Sequence, residues 1–335
     1  MAGALVILVL LGTLLWWAED DPAIPPVDPA DYSTGGLRAF DSESWWNTRL
    51  PVDAPRHPAG ERLLTYLRTA PQSGGGYLRL AGADNDSWGQ PIYWAEPGDP
   101  TYEVQSTRYS LPPEFAKLRI PRGALPGDNS DSELTVYDES RGYVAALWNA
   151  DFDGETETWQ AGGGSIAYLD SNGLDARTGR SDDRRNTGSF RGTNGATTAV
   201  RLDEVQTGAI RHVLKISVGP EASVRHVFPM VGSDGESRDM AAPPQGLRLR
   251  IRPDVDLAKL DLPPQALVIA RALRDYGAFI GDSAGTTALK LENTVVEGRG
   301  QMWDIDESVL EGLPFTPKYW SVLPEGYDPG TEPDP

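Results

Sequence analysis

The sequence predicts an all-β fold, a jelly-roll or concanavalin-like β-sandwich, with one or two packed helices. Three observations carry this. The chain has 36 Gly and 28 Pro in 335 residues, and that density of backbone punctuation favours short strands joined by turns over a helical bundle. Strand-like alternation recurs in short pieces along most of the chain. Helical periodicity is confined to two segments. With 39% apolar residues, 10 Trp, 12 Tyr and 7 Phe, the chain has the material for a sizeable core and is not a disordered polymer.

The elements follow in order. Residues 1–17 (MAGALVILVLLGTLLWW) carry no charged side chain. They sit at the short end of what spans a bilayer and end in a Trp pair suited to the interface. Neither a basic n-region nor an A-x-A cleavage site accompanies them. The segment is expected to be an N-terminal membrane anchor, or a signal segment that is removed, with the body outside the cytoplasm. Residues 18–36 are acidic and Pro-rich and read as an extended tether. Residues 37–323 are expected to form one β-sandwich domain, and residues 324–335 a flexible polar tail.

Within the body, alternation predicts strands at Gly76–Ala81, Gln90–Ala95, Tyr102–Thr107, Leu134–Tyr137, Tyr143–Trp148, Ser165–Leu169, Ile210–Val218, Val224–Phe228, Leu247–Ile251, Phe279–Ile280 and Ala288–Glu292. Turn chemistry separates them, for example at Asp170–Gly173 and Gly232–Gly235. A helix is expected over Ala59–Ala70, where Leu63, Leu64 and Leu67 share a face. A second is expected over Pro263–Tyr276. There the Pro pair pre-sets the first turn and Gly277 serves as the stop. Asp203–Gly208 adds a helical turn.

Composition excludes several functions. The charge is −19, from 30 Lys and Arg against 49 Asp and Glu, and no basic run exists, so nucleic acid is not an expected partner. No Cys is present, which removes disulfides, thiolate metal sites and Cys nucleophiles. There is no G-x-S-x-G, no H-E-x-x-H, no Walker loop and no G-x-G-x-x-G after a strand. Oligomeric state is not legible.

The first candidate site is Glu204, His212 and Asp282. Glu204 and His212 lie eight residues apart around Gly208, and Asp282 follows the apolar run YGAFIG. Two carboxylates across a sugar suffice for glycoside hydrolysis, and His212 can tune one of them or act itself. Against this stands a structural reading in which His212 is a hydrogen-bonded core residue, Glu204 a helix-start acid and Asp282 a turn. The alternative acidic site is Asp151, Asp153 and Glu155, acids at alternate positions in WNADFDGETE. Asp170, Asn172 and Asp175 form the candidate Ca²⁺ loop, although the EF-hand Glu is missing, Ser181 standing at its position. No other cofactor is expected.

Aromatic residues can stack on sugar rings, though most Trp in a sandwich are core. Trp88, Trp148 and Trp159 are the expected substrate-binding aromatics, with Trp88 and Trp159 the expected exceptions to burial. The polar stretch Arg177–Thr198 is the expected rim over a site. From it and just beyond, Arg191 and Arg201 are candidates to hold a carboxylated sugar.

Four segments carry a resemblance. They are Ser44–Pro58 (SWWNTRLPVDAPRHP), Gln90–Ala95 (QPIYWA), Val200–Ile216 (VRLDEVQTGAIRHVLKI) and Gln265–Gly285 (QALVIARALRDYGAFIGDSAG). In order and spacing they resemble a family of secreted or membrane-anchored bacterial proteins common in actinobacteria. The family's patterns are S-x-WN…lP, PiyyA, eEv-x-aG-x-I-xHAL and ALk-YGm-laD. The family's Asn after the Asp is Ser283 here. The resemblance implies a β-sandwich acting on extracellular polysaccharide and specifies no reaction. The expected function is therefore an extracytoplasmic polysaccharide hydrolase using paired carboxylates. The alternatives are a non-catalytic glycan-binding or cell-surface structural module and a polysaccharide lyase.

Overall fold

The structure, a computed structural model, describes residues 37–330 except positions 71, 85, 86 and 220–222. The expected anchor and tether lie outside the described residues. Among the described residues no helix is long and apolar enough to cross a membrane.

In chain order the elements begin with α1 (Gly60–Thr69), β1 (Arg79–Ala81), β2 (Ile92–Trp94), β3 (Thr101–Tyr102), β4 (Val104–Ser106), β5 (Leu118–Arg119), β6 (Leu134–Asp138) and β7 (Tyr143–Trp148). They continue through β8 (Asp151–Asp153), β9 (Thr158–Ala161), β10 (Gly163–Tyr168), α2 (Leu202–Gln206), β11 (Leu214–Val218), β12 (Ser223–His226), β13 (Pro244–Gln245) and β14 (Arg248–Ile251). The last are α3 (Pro264–Asp275), β15 (Ala278–Ser283), β16 (Ala288–Lys290) and β17 (Trp320–Val322).

The fold is mainly β, in several sheets with three helices. The largest sheet runs β1-β16-β11-β15-β14-β17, and a second runs β10-β7-β6-β2. Three small sheets complete the set: β4-β9-β8, β3-β5 and β12-β13. Pairs β1/β16, β11/β15 and β2/β6 are parallel. This is not the all-antiparallel order of a jelly roll. Long connections rather than hairpins join these strands, and a parallel pair requires such a connection.

α1 buries Leu63, Leu64 and Leu67, and α3 buries Ala266, Val268, Ile269, Ala270, Ala272 and Leu273. α3 packs on β14 and begins with Pro264 in its first turn, where the missing N–H costs nothing. It ends at Gly277, whose φ is 72° and where an added Cβ would lie 2.6 Å from the Leu249 carbonyl oxygen. Gly277→Ala is therefore expected to lower stability by at least about 1–2 kcal/mol through left-handed strain alone. An unchanged urea midpoint would refute this account of how α3 ends.

Two principal cores result. One joins the six-stranded sheet to the helices, and the other lies under the four-stranded sheet and its small companions. Two smaller clusters span them. Trp45, Trp46 and Phe279 meet Ala167 of β10, and Ile92, Tyr137 and Val144 meet Ala196 and Ala199. Of the expected flexible tail, residues 324–330 make defined contacts. The Tyr327 carbonyl accepts from Trp45 Nε1 at 3.0 Å, Glu325 pairs with Arg225, and Asp328 pairs with Arg180.

Candidate functional site

A cleft of about 930 Å³ is lined by residues of both large sheets. One wall is aromatic. Trp148 ends β7, and Tyr109 lies 6.4 Å from it between ring centroids. Tyr109 is held in place by its own N–H, which donates to the Gly162 carbonyl. The Arg108 guanidinium sits 4.9 Å from the Tyr109 ring and 5.6 Å from that of Trp148, within cation–π range. Phe190, 70% exposed, stands at the mouth.

The Arg177–Thr198 stretch supplies much of the remaining lining. It is tied down internally. Arg177 forks onto Asp175 with both contacts at 2.9 Å, and also donates to the Ser189 carbonyl. The Asp175 carboxylate accepts from the Gly188 N–H as well.

The floor carries the charge. β11 places Leu214, Ile216 and Val218 in the core of the six-stranded sheet. Alternation turns Lys215 to the opposite face, into the cleft. On β15 the pairing runs Ile216 to Ile280 and then Ser217 to Asp282, skipping Gly281. That bulge re-aims the strand end. It also lets the Lys215 stem cross Gly281, where an added Cβ would meet Lys215 Cγ at 2.6 Å. Asp282 Oδ2 thus accepts from Lys215 at 3.3 Å and from Arg191 at 2.9 Å, while Oδ1 accepts the Ser283 N–H at 3.0 Å.

Arg191 has a second carboxylate. Its Nη1 donates to Asp234 Oδ2 at 2.7 Å, and the Arg191 carbonyl accepts from the Val231 N–H, which fixes the two loops together. Asp234 also accepts from Gln245, and the Arg191 fork holds it beside Asp282. The two carboxyls are driven apart in acidity. Burial pushes Asp234 above the ordinary carboxylate range and the Asp282 charge pushes it further, against the pull of Arg191. Burial acts upward on Asp282 too, but Lys215 and then Arg191 overcome it and hold Asp282 below that range. The two pKa values are pushed in opposite directions, the arrangement from which acid and base roles are drawn.

At the side of the cleft Glu133 pairs with Lys290. The Asp131 carboxylate accepts a long 3.4 Å bond from Trp148 Nε1.

Glu204 and His212 meet, with Nε2 3.1 Å from Glu204 Oε2, but neither lines the cleft that Asp282 lines. Both are buried beside Arg201, which is 2% exposed and pairs with Asp203 at 2.9 Å and Glu204 at 3.4 Å. Burial acts upward on Glu204, and Arg201 followed by His212 more than reverses it. Arg201 also donates to the Leu37 carbonyl. This closed ion cluster leaves Arg201 no group to offer a substrate. The three expected catalytic residues therefore do not converge, because the turn of α2 faces the interior.

Of the aromatics, Trp148 lines the cleft. Trp159 does not; it is 2% exposed and packs on Phe152 at 5.0 Å, because its polar neighbours belong to the β8–β9 hairpin. Trp88 is exposed but outside the lining. Asp151, Asp153 and Glu155 belong to that same hairpin, away from the cleft. There Asp153 closes the turn by accepting the Glu155 N–H at 2.9 Å and the Thr156 hydroxyl at 2.7 Å. In the candidate Ca²⁺ loop, Asp170 is exposed, Asn172 bonds the Arg180 carbonyl and the Leu174 N–H, and Asp175 is taken by Arg177. Among the described residues no group of three or more His, Asp or Glu is disposed to hold a metal ion.

Sequence reasoning missed Lys215 and Asp234. The signal for the first was a lysine alternating with Leu214 and Ile216 inside an apolar strand. Asp234, in the Gly232–Gly235 turn, gave no signal beyond punctuation. Comparison with protein-family models, with curated proteins and with solved structures returned no match.

Proposed function

We propose that this chain is an extracytoplasmic carbohydrate-active protein, a polysaccharide hydrolase working in the cleft between the two large sheets. The observation that carries the reading is the Asp234–Asp282 carboxyl pair on the floor of an aromatic-walled cleft. Tyr109, Trp148 and Phe190 offer ring faces for sugar rings. Asp234, the carboxyl whose pKa is raised, donates a proton to the leaving oxygen. Asp282, held ionised, faces the developing positive charge at the sugar carbon or attacks it. Carboxyls that share one guanidinium are close-set, nearer the separation of retaining pairs, about 5–5.5 Å, than the about 6.5–9.5 Å of inverting ones. Retention is the expected stereochemistry. The motif resemblance and the apolar residues 1–17 support the extracytoplasmic, membrane-anchored part of the reading.

A second reading rests on one observation. Asp282 Oδ2 is contacted by two cations at once, which suits a fixed ion network in a glycan-binding module. Digestion of a polysaccharide panel separates the readings by product mass. Hydrolysis adds water and, by proton NMR, leaves the anomer unchanged; inversion would remove Asp282 as nucleophile. Unsaturated products would instead mark a lyase, and retention of glycan without products a binding module.

A further inference from the structure

A second pocket, of about 450 Å³, lies where the Arg49–Val52 segment meets β14 and the last turn of α3. Its charged lining is Arg49, Arg250, Arg274 and Asp275. The single carboxylate is already shared, with Arg49 on Oδ2 at 2.6 Å and Arg274 on Oδ1 at 3.0 Å. Arg250 takes none of it. Only 3% of Arg250 is exposed, its Nη1 donates to the Pro51 carbonyl at 2.7 Å, and its Nε is buried with no partner.

Three guanidiniums against one carboxylate leave a local charge of about +2. Arg248, two residues earlier on the same face of β14, adds to it. Its hydrogen bonds go to the Tyr276 and Thr48 carbonyls, and its Nη1 is also buried without a partner. The C-terminal end of α3 offsets roughly half a charge. This excess stands in a chain whose net charge is −19. A buried guanidinium N–H without an acceptor costs about 1–3 kcal/mol or more, and calls for a water or an ion as its explanation.

We propose that this pocket is an oxyanion site that takes a doubly charged tetrahedral group of the phosphate or sulfate class, with Arg250 as its buried anchor and Arg49 and Arg274 as its rim. Arginine forks match the geometry of such oxygens, and a dianion balances the charge of about +2 that the single carboxylate leaves. The site is independent of the cleft and of the reaction proposed there. Its ligand is either a free ion or a phosphate monoester on a sugar.

The test is thermal unfolding of the full chain in detergent, with inorganic phosphate titrated against chloride at matched ionic strength. Phosphate is expected to raise the melting temperature in a saturable way, and Arg250→Gln to abolish that rise. Arg49→Gln, at an exposed position, is expected to weaken phosphate binding about tenfold by removing one of the site's charge-assisted contacts, and it keeps the test intact if Arg250→Gln does not fold. A hexose phosphate bound more tightly than phosphate would identify an ester ligand, and equal binding a free ion. No gain over chloride would overturn the proposal. So would a gain that survives Arg49→Gln unchanged and is lost in Arg191→Gln.

Discussion

Asp234→Asn is expected to reduce turnover about 10²–10⁴-fold, the usual contribution of a placed proton donor, with little change in melting temperature. The reason is charge balance. Burial disfavours the charged form of Asp234, so the neutral Asn costs little there, and its side-chain oxygen can still accept from Arg191. Asp282→Asn differs. It also stops turnover, but it leaves Arg191 and Lys215 on one site without their shared counter-ion, a loss of about 3 kcal/mol on the scale of broken buried pairs. The pH profile follows from the same geometry. Turnover needs Asp282 ionised and Asp234 protonated. It falls on the acid side through the depressed Asp282 value and on the alkaline side through the raised Asp234 value. The alkaline limb should be missing from whatever residual activity Asp234→Asn retains. Wild-type turnover in Asp234→Asn would end the hydrolase reading and leave the binding module.

The strands that sequence reasoning located are those whose alternation is undisturbed. Tyr143–Trp148 is β7 to the residue, and Pro263–Tyr276 brackets α3 to within one residue at each end. The strands it missed are those whose side chains look like something else. β8 carries Asp151 and Asp153 and pairs with β9 over Thr158–Gln160, so acids on a hairpin stood out as a candidate site rather than as a strand. Proximity was legible for Glu204 and His212, since a helical turn leading into a strand brings them together. Their burial was not, because it depends on Tyr137 and Glu292, which arrive from distant segments to close over Arg201 and the α2 turn. The cleft was half legible. Its rim, Arg177–Thr198, is polar and long enough to stand out. Its floor depends on a one-residue bulge at Gly281 and on a turn that delivers Asp234, and neither leaves a mark in hydrophobic periodicity.

Glu297→Gln is expected to flatten the pH dependence of stability and to make the protein more stable than wild type near pH 8. Glu292 and Glu297 both have side chains 4% exposed and share one arginine, Arg299, at 2.5 and 3.0 Å. Their remaining oxygens accept from the Leu202 N–H at 2.6 Å and the Ile92 N–H at 2.8 Å. One guanidinium balances one carboxylate, so the second carboxyl keeps a proton. Burial, then the charge of Glu292, pushes Glu297 up to about 9. The unfolded chain releases that proton near the ordinary value of 4.5. Between those two points the folded state binds the extra proton, so stability is intact below about pH 4.5 and falls as pH rises, by at most about 1.4 kcal/mol per unit. Asp234 adds a slope of the same sign. Three His are the only other side chains whose ordinary values lie in this window. The substituted glutamine presents an amide where the protonated acid stood, keeps an oxygen for the Ile92 N–H, and has nothing to titrate. Urea midpoints for wild type and Glu297→Gln from pH 5 to pH 9 should converge at the acid end and separate steadily above it. Curves that stay parallel throughout would place the proton elsewhere and dissolve the account of this pair.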